Sequence, residues 1–397
     1  MDAESAHALS LRLLPGLLVF AQRKRWAAPR PITPRELVQF QILVAAMVIT
    51  ATPGAQPITS AASRDNIPRR EPNIFSTLRN LDKQMDIYEN RDLLDLAREQ
   101  IPMERIRAEA TALQQSDSPL ACEQDALAQV LVHWFKHEYF KWADPIKCPR
   151  CAGPTSASGM VPPTPYERSG GAGRVELHVC RGENGACDGS FRFPRYNDLK
   201  YLMRTRIGRC GEWANLYTLF LRAVGLRARY AFSLHDLQLV WNKEDHVWNE
   251  YFSPGAGRWI HTDSCEAARD QPLLYDRGWG KKMSYIFAFS IDGASDMSQG
   301  YVQNSNEMLQ RRKDAPEPAL AEELAKITAA RRRHRTPAEL AQLEQEDKTE
   351  REWLAKSDQR AREGETEREA EAAAEPARES GTQEWKEARG EAGPGSR

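Results

Sequence analysis

The clearest hydrophobic pattern in the chain is helical and lies within residues 211–229. Its apolar positions follow the i, i+3, i+4, i+7, i+8, i+11 series: Trp213, Leu216, Tyr217, Phe220, Leu221 and Val224. This spacing predicts an amphipathic helix, and Gly225 favours its C-terminal end. A second, aromatic-rich helix is predicted over Asp125–Trp142, and a helical pattern of mixed charge covers Ser76 to about Leu113.

Residues 246–263 change to a period of two, which is typical of β-strands. A turn is predicted at Ser253–Ala256, between a first strand and a strand that returns from Gly257 to Asp263. One face of the first strand carries His246, Trp248, Glu250 and Phe252. If Phe252 pairs with Gly257, the register sets Glu250 opposite Trp259, Trp248 opposite His261, and His246 directly opposite Asp263.

The two ends of the chain have a different composition from its middle. Residues 1–75 show no long periodicity, and their apolar stretches, Leu9–Phe20 and Phe40–Ala51, are shorter than the roughly 20 residues that span a bilayer. Beyond about Gly300, Glu, Arg, Ala and Lys dominate. Thr336 to Glu339 form a capping box that predicts a helix from Pro337 to about Leu354. Residues 357–397 have the composition of a disordered tail.

Overall charge and cysteine content exclude some classes of protein. The formal net charge is -1, so there is no whole-chain attraction for nucleic acid or an anionic membrane. Seven cysteines in 397 residues are too few for a disulfide scaffold. We therefore expect a protein of a reducing compartment, without nucleic acid as a partner and without a membrane span.

Four of the cysteines have the spacing of a metal site. Cys148 and Cys151 form a C-x2-C pair, and Cys180 and Cys187 form a second, wider pair. Four thiolates suit tetrahedral zinc, which would stabilise a segment with little apolar material of its own. Cys187 is the least secure ligand because of the wide spacing, and His178 is an alternative. Four unrelated thiols are the other interpretation.

A nucleophile, a base and an orienting group are also predicted. Cys210 stands where the amphipathic helix begins, and a helix N-terminus stabilises a thiolate. In the proposed register His246 faces Asp263, which could orient the imidazole and stabilise its charged form. The three residues supply a nucleophile, a base and an orienting group, in the order Cys, His, Asp along the chain. A buried structural cysteine and a structural His–Asp pair remain as alternatives.

The hairpin also carries side chains that could bind a carbohydrate. Trp248 and Trp259 offer flat apolar surfaces to sugar rings, and Glu250 and Glu266 could accept hydrogen bonds from hydroxyl groups. The alternative is that the tryptophans are core residues.

Several motifs in one order resemble those of the cytoplasmic peptide:N-glycanases, including fungal members, a branch of the transglutaminase-like superfamily. The likeness covers about Leu127 to Gly300. It is carried by His133–Trp142, the cysteine pairs, Arg192–Asn197, Gly208–Asn215, Asp245–Trp248, His261–Glu266 and Gly280–Tyr285. The resemblance implies an α+β, papain-like core with the cysteine on a helix and the His and Asp on an antiparallel sheet. A zinc-binding subdomain with four cysteine ligands and flanking helices complete the expected fold.

The resemblance also implies roles for individual residues. Cys210 is then the nucleophile, His246 the general base and Asp263 its partner, and the four cysteines are zinc ligands. Glu250, Glu266, Trp142, Trp248 and Trp259 match substrate-contacting or cleft-lining positions. The implied reaction hydrolyses the amide between N-acetylglucosamine and asparagine in misfolded N-glycoproteins. The implied partners are a ubiquitin-like proteasome shuttle protein and a hexameric AAA ATPase, in the cytoplasm with the nucleus as a second location.

Three features leave other functions open. Ala231–Leu239 looks inserted relative to the family and could disturb His246, which keeps a catalytically impaired, zinc-stabilised scaffold as an alternative. A transglutaminase could use the same triad. The helix after Thr336 and the basic run Arg331–Arg335 could bind a partner or form a solvated charged surface.

The predicted domain organisation has six parts. They are an N-terminal extension (1–75), a helical part of the core (76–145), a zinc-binding insertion (146–195), a catalytic core (196–300), charged helices (301–356) and a tail (357–397).

Overall fold

A computed structural model describes residues 73–182, 187–234 and 246–361 of the chain. Several predictions fall outside these residues: nearly all of the N-terminal extension with both of its apolar stretches, positions 235–239 of the predicted insertion, and positions 362–397 of the predicted tail. Within the described part, no helix is both long enough and apolar enough to cross a bilayer.

The helical first part of the fold consists of four α-helices and one short turn of 3-10 helix. They are α1 (Asn73–Gln84), the 3-10 turn (Met85–Glu89), α2 (Arg91–Gln100), α3 (Met103–Gln114) and α4 (Glu123–Trp134). The prediction of one helix over Asp125–Trp142 was wrong in its second half. A π-helical turn, Phe135–Tyr139, follows α4, and the chain then extends into β1 (Lys141–Trp142). The wider turn is closed by the Phe140 N–H, which donates to the Phe135 carbonyl at 2.9 Å.

The cysteine-rich segment forms a small antiparallel sheet. Its elements are β2 (Thr155–Val161), α5 (Pro165–Ser169), β3 (Val175–Cys180) and β4 (Ser190–Pro194), and β3 lies between the other two strands. Thr164 and Glu167 form a capping box at the start of α5. The third cysteine, Cys180, ends the central strand of this sheet.

The central helix of the protein begins at the predicted nucleophile. After α6 (Leu199–Thr205) and β5 (Ile207–Gly208), α7 runs from Cys210 to Ala223. Gly225 has a φ of +88°, which confirms the predicted glycine stop. The π-turn residue Phe135 packs against Trp213, Tyr217 and Phe220 of α7, with ring centroids 5.1–5.6 Å apart. Each such aromatic pair contributes about 0.5–1.5 kcal/mol beyond simple burial.

A six-stranded antiparallel sheet packs on α7. Its strands are β6 (Ala228–Leu234), β7 (Val247–Ser253), β8 (Arg258–Asp263), β9 (Ala268–Arg269), β10 (Tyr285–Ser290) and β11 (Gly293–Asp296). The order across the sheet is β11-β10-β6-β7-β8-β9, and α7 lies against β6 and β7. A second π-helical turn, Leu274–Gly278, lies between β9 and β10, and a 3-10 turn, Ser298–Tyr301, follows β11. Residues 231–234 of the predicted insertion continue β6 and pair with β10.

The hairpin formed by β7 and β8 is confirmed, but its predicted register was wrong by two residues. Phe252 pairs with Trp259 rather than with Gly257, and Glu250 pairs with His261. The turn occupies residues 254–257. Ser253 remains in the strand, where its hydroxyl donates to Asp125 at 2.9 Å, and Gly257 takes a φ of +62° in the turn. A shift of two residues leaves every side chain on its original face.

The C-terminal helices are α8 (Ser305–Arg311), α9 (Glu317–Arg332) and α10 (Pro337–Ala355), and the capping box at Thr336 and Glu339 is present as predicted. Binding of a partner by this region stays a prediction, and several of its charged side chains are paired with the rest of the fold. Arg331 pairs with Asp82 of α1, and Glu350 of α10 pairs with Arg229 of the sheet. These ion pairs attach the basic run Arg331–Arg335 and α10 to the core.

Candidate active site

The predicted nucleophile, Cys210, is the first residue of α7 and is half-buried. Its position follows from the parallel pairing of β1 with β5, which sets Trp142 beside Gly208 two residues before Cys210. The Trp213 indole N–H donates to the Gly208 carbonyl at 3.0 Å and braces this entry into the helix. The N-terminus of α7 therefore contributes partial positive charge near the sulfur.

His246 and Asp263 form a buried hydrogen-bonded pair. His246 Nε2 lies 2.7 Å from Asp263 Oδ2, and the two side chains are 5% and 1% exposed. Extending the β7–β8 register puts Trp248, not His246, opposite Asp263, so the imidazole reaches the carboxylate diagonally across the ladder. Because Nε2 faces the carboxylate, Nδ1 is the nitrogen left for Cys210, whose pKa the nearby His246 lowers.

The three groups stabilise each other's charged forms. Burial acts to lower the pKa of His246, but the charge and hydrogen bond of Asp263 and the hydrogen bond to Cys210 outweigh it and raise that pKa to about 9. Burial acts to raise the pKa of Cys210, yet His246, Lys281 and Arg195 together lower it. The pKa of Asp263 falls to about 2 despite its burial, chiefly because of His246. This arrangement favours a thiolate–imidazolium pair at neutral pH.

A second set of buried charges holds the N-terminus of α7. Glu212 accepts two hydrogen bonds from Arg195, at 2.6 and 2.8 Å, and one from the Arg209 N–H at 2.9 Å. The Arg209 guanidinium donates to both Asp144 and Glu176, the latter at 2.6 and 3.0 Å. Glu176 belongs to β3, so this network joins the cysteine-rich sheet directly to the residue before the nucleophile.

The structure brings the four predicted metal-binding cysteines together. The sulfurs of Cys148, Cys151, Cys180 and Cys187 all lie within 4.8 Å of one another, with separations of 3.7 Å for Cys148 to Cys187 and 3.4 Å for Cys151 to Cys180. Tetrahedral zinc with bonds of about 2.3 Å would need sulfurs about 3.8 Å apart, so the cluster could hold a metal ion of that size. The backbone N–H groups of Arg150 and Cys151 lower the pKa of Cys148 to about 6, whereas burial raises the pKa of Cys180 to about 12.

His178, the alternative fourth ligand, has other partners. Its Nε2 lies 3.2 Å from Glu176 and its Nδ1 lies 3.5 Å from the Thr155 hydroxyl. The ring also stacks on Phe191. The structure therefore assigns Cys187 rather than His178 to the cluster.

The chain is similar in sequence to known proteins. The family model for the transglutaminase-like superfamily matches residues 161–264. A peptide-N(4)-(N-acetyl-beta-glucosaminyl)asparagine amidase of Yarrowia lipolytica is 39% identical over 310 residues, covering 77% of this chain and 81% of that protein.

The chain belongs to this amidase family.

Other relatives match a smaller part of their own length. The human protein of the same name is 41% identical over 240 residues, covering 59% of this chain but 35% of its own. Protein png-1 of Neurospora crassa is 38% identical over 252 residues, covering 61% and 58%. Among solved structures, Rad4-Rad23 bound to a 6-4 photoproduct UV lesion matches with a TM-score of 0.44 and 14% identity, covering 72% of this chain and 57% of that one. Those values are too low to support any argument.

The residues predicted to contact a substrate fall into two groups. Trp248 is fully buried beside Tyr275, with ring centroids 4.5 Å apart. Glu250 is 2% exposed and accepts a hydrogen bond from Tyr301 at 2.6 Å. Trp259 packs under the Arg229 guanidinium, 3.9 Å from its ring centroid. In this conformation Trp248 and Glu250 are core residues, whereas Trp259 also lines an open cavity of about 710 Å³ between the sheet and helices α9 and α10.

Trp142 and Glu266 are half-buried instead. Trp142 lines an open cleft of about 310 Å³ that also contacts Trp213 and Cys265. Glu266 lies 3.8 Å from Lys136, another lining residue of this cleft. The cleft therefore begins beside the first turn of α7 and carries an aromatic surface and charged groups.

Sequence reasoning missed several residues that shape the site. Lys281 and Arg195 belong to motifs that carried the family resemblance, so attention to their charge could have found them. Glu212, three residues after Arg209, has the spacing of a helix-capping carboxylate. Tyr275 had no comparable signal, because only the folded chain brings it to Asp263.

Proposed function

We propose that this chain hydrolyses the amide bond between N-acetylglucosamine and asparagine in N-glycoproteins, converting the asparagine to aspartate. The observation that carries the proposal is the buried His246–Asp263 pair at 2.7 Å with Cys210 at a helix N-terminus. Membership of the amidase family supports the choice of substrate bond.

The reaction would proceed in two halves. The Cys210 thiolate attacks the carbonyl carbon of the asparagine side chain, and N–H groups at the start of α7 stabilise the oxyanion. The His246 imidazolium protonates the leaving nitrogen, so a glycosylamine departs and a thioester remains. His246 then takes a proton from water, which attacks the thioester; the aspartate carboxylate and the Cys210 thiolate are released. Asp263 stays ionised throughout and holds the imidazole.

We propose that the sugar binds in the cleft lined by Trp142. A cleft of about 310 Å³ is at the lower end of the range of about 300–1,000 Å³ for small-ligand sites. Trp142 offers an aromatic face to a sugar ring, and Glu266 offers acceptor oxygens for its hydroxyl groups.

We further propose that the four cysteines hold zinc. The metal would supply folding energy to the cysteine-rich sheet and no chemistry at the reacting bond. Its effect on the reaction is carried by Glu176 and Arg209, which tie that sheet to α7. Free thiols and a thiolate nucleophile fit a reducing compartment such as the cytosol or nucleus. The substrates there would be misfolded glycoproteins, with the ubiquitin-like shuttle and AAA ATPase implied by the family resemblance as partners.

The test is incubation of the protein with a denatured N-glycoprotein, followed by mass spectrometry of the glycan-bearing peptide. We expect conversion of Asn to Asp with release of free glycan, and no conversion by Cys210→Ala. Cys122→Ser is the matched control, because that half-buried thiol contacts Asp125 and Ser253 instead of the triad. Equal activity of Cys210→Ala, or crosslinked product in place of free glycan, would rule the proposal out.

A further inference from the structure

Asp263 is held by more groups than His246 alone. Its Oδ1 accepts a hydrogen bond from the Cys265 N–H at 2.8 Å, and its Oδ2 accepts one from the Tyr275 hydroxyl at 2.8 Å. His246 Nε2 shares that same Oδ2. Three donors therefore converge on one buried carboxylate, and the tyrosine comes from a separate segment, the π-helical turn after β9.

The Tyr275 hydroxyl has a second neighbour, His261, whose Nε2 lies 2.7 Å away. A hydroxyl has one hydrogen to donate, so the protonation of His261 decides the direction of this contact. The Gln271 N–H points at His261 Nδ1 from 3.3 Å, so Nδ1 acts as an acceptor. Burial lowers the pKa of His261 to about 4, and the ring is neutral at neutral pH. Its single proton is therefore on Nε2 and is donated to the tyrosine oxygen.

The hydrogen bonds then run in one direction. His261 donates to Tyr275, and Tyr275 donates to Asp263. The Tyr275 ring also contacts the His246 imidazole, and the two ring centroids are 4.8 Å apart. Trp248 and Trp279 pack on the other sides of the Tyr275 ring, at 4.5 and 5.1 Å. The hydroxyl therefore has little freedom to rotate away from the carboxylate.

We propose that Tyr275, oriented by His261, is a positioning residue that fixes the Asp263 carboxylate and limits how strongly Asp263 binds the proton of His246. The inference concerns the triad on which the proposed function rests. The Tyr275 hydroxyl and the His246 N–H both donate to Asp263 Oδ2. The hydrogen bond from the tyrosine therefore weakens the hydrogen bond between this oxygen and the imidazolium. Without the hydroxyl, Asp263 would hold the imidazolium more strongly, and His246 would be a weaker acid toward the leaving nitrogen.

The test is Tyr275→Phe, which removes the hydroxyl and keeps the ring. The readout is the rate at which iodoacetamide alkylates Cys210, resolved by peptide mass spectrometry and measured as a function of pH. This readout does not require deglycosylation, so it remains valid if the proposed function fails. Lys281, Arg195 and Asp263 are the other charged groups that act on the pair, and the substitution leaves all three in place.

We expect the alkaline transition of the alkylation profile, at which His246 loses its proton, to move to higher pH in Tyr275→Phe. In the deglycosylation assay we expect kcat to fall by about 10- to 100-fold, as for loss of one hydrogen bond to a charged group, with KM within about twofold. Tyr251→Phe is the matched control. It removes another buried hydroxyl that donates to a carboxylate, Asp125 at 2.6 Å, and should leave the transition unmoved.

An alkaline transition that stays at the wild-type pH in Tyr275→Phe would overturn the proposal, because a purely structural role changes rates without moving that transition. If Tyr275→Phe does not fold, the tautomer of His261 decides the question in the wild-type protein. Nitrogen-15 NMR should find the proton on Nε2. A proton on Nδ1 would make the tyrosine donate to His261 instead of Asp263, and the proposal would be wrong.

Discussion

The buried carboxylate of Glu176 offers a direct test of how the cysteine-rich sheet supports the nucleophile. Glu176 is 3% exposed and is paired with Arg209 at 2.6 Å and Arg195 at 3.4 Å. Glu176→Gln removes the charge and keeps the shape. The amide nitrogen of the glutamine would then face two guanidinium groups. All of these groups are hydrogen-bond donors, so no hydrogen bond could form between them.

The cost can be judged from the partners that remain. Removing one partner of a buried ion pair costs about 3–5 kcal/mol when the other charge is left alone. Here Arg209 keeps Asp144 at 2.7 Å, and Arg195 keeps Glu212 at 2.6 Å. We therefore expect a loss nearer the value of one charged hydrogen bond, about 2 kcal/mol. For a urea m-value of about 3 kcal/mol per M, that is a fall of about 0.7 M in the unfolding midpoint.

The pH dependence of this loss has a defined sign. Burial opposes ionisation of Glu176, but His178 and Arg209 hold its pKa well below the ordinary 4.5. A carboxylate with a lowered folded pKa contributes stability above its unfolded pKa and loses it as the pH falls toward the folded value. The difference between wild type and Glu176→Gln should therefore be largest near neutral pH and should shrink below about pH 4.5.

Glu167→Gln is the matched control for this experiment. Glu167 lies in the same cysteine-rich region, is 6% exposed and pairs with Arg192 at 2.7 Å. Its carboxylate accepts hydrogen bonds from Arg192 and from the Thr164 N–H, and neither residue belongs to α7. Both variants should lose stability in urea, but only Glu176→Gln should slow alkylation of Cys210. An unchanged midpoint in Glu176→Gln, or equal slowing of alkylation by both variants, would refute the role given to this network.

Four other outcomes are expected. Deglycosylation should decline as the pH rises through about 9, because His246 then loses the proton that the leaving nitrogen needs; a pH profile of kcat/KM with no decline there would contradict this. Trp142→Ala should raise KM more than it lowers kcat, measured with a chitobiose-bearing peptide. If the four cysteines hold the proposed zinc, a chelator should make four further thiols reactive toward a thiol reagent and lower the urea midpoint. Thr336→Ala should cost about 1 kcal/mol in urea unfolding, because its hydroxyl accepts from the Glu339 N–H at 3.3 Å at the start of α10.

Much of the site was predictable from local patterns. The apolar spacing after Cys210 and the glycine at position 225 determine α7, because periodicity and backbone freedom act over a few residues. The capping box at Thr336 determines the start of α10 for the same reason. The alternation after His246 determines which side chains share a face, and this is why the His246–Asp263 pair is present despite an incorrect predicted register.

Other features depend on contacts between distant segments. Asp125 lies more than a hundred residues before Ser253, yet its hydrogen bond helps set where the β7–β8 turn begins. Glu250, a candidate ligand-binding residue, is instead a core residue because its carboxylate pairs with Arg229 and accepts a hydrogen bond from Tyr301.

The sequence by itself therefore determined α7, the capped start of α10 and the face that the hairpin side chains share, since each rests on short-range spacing. Only the tertiary structure decided the register, the burial of Trp248 and Glu250, and the presence of Tyr275 at Asp263. These outcomes follow from which distant surfaces pack together to bury apolar area and satisfy polar groups, and no local pattern along the chain encodes that choice.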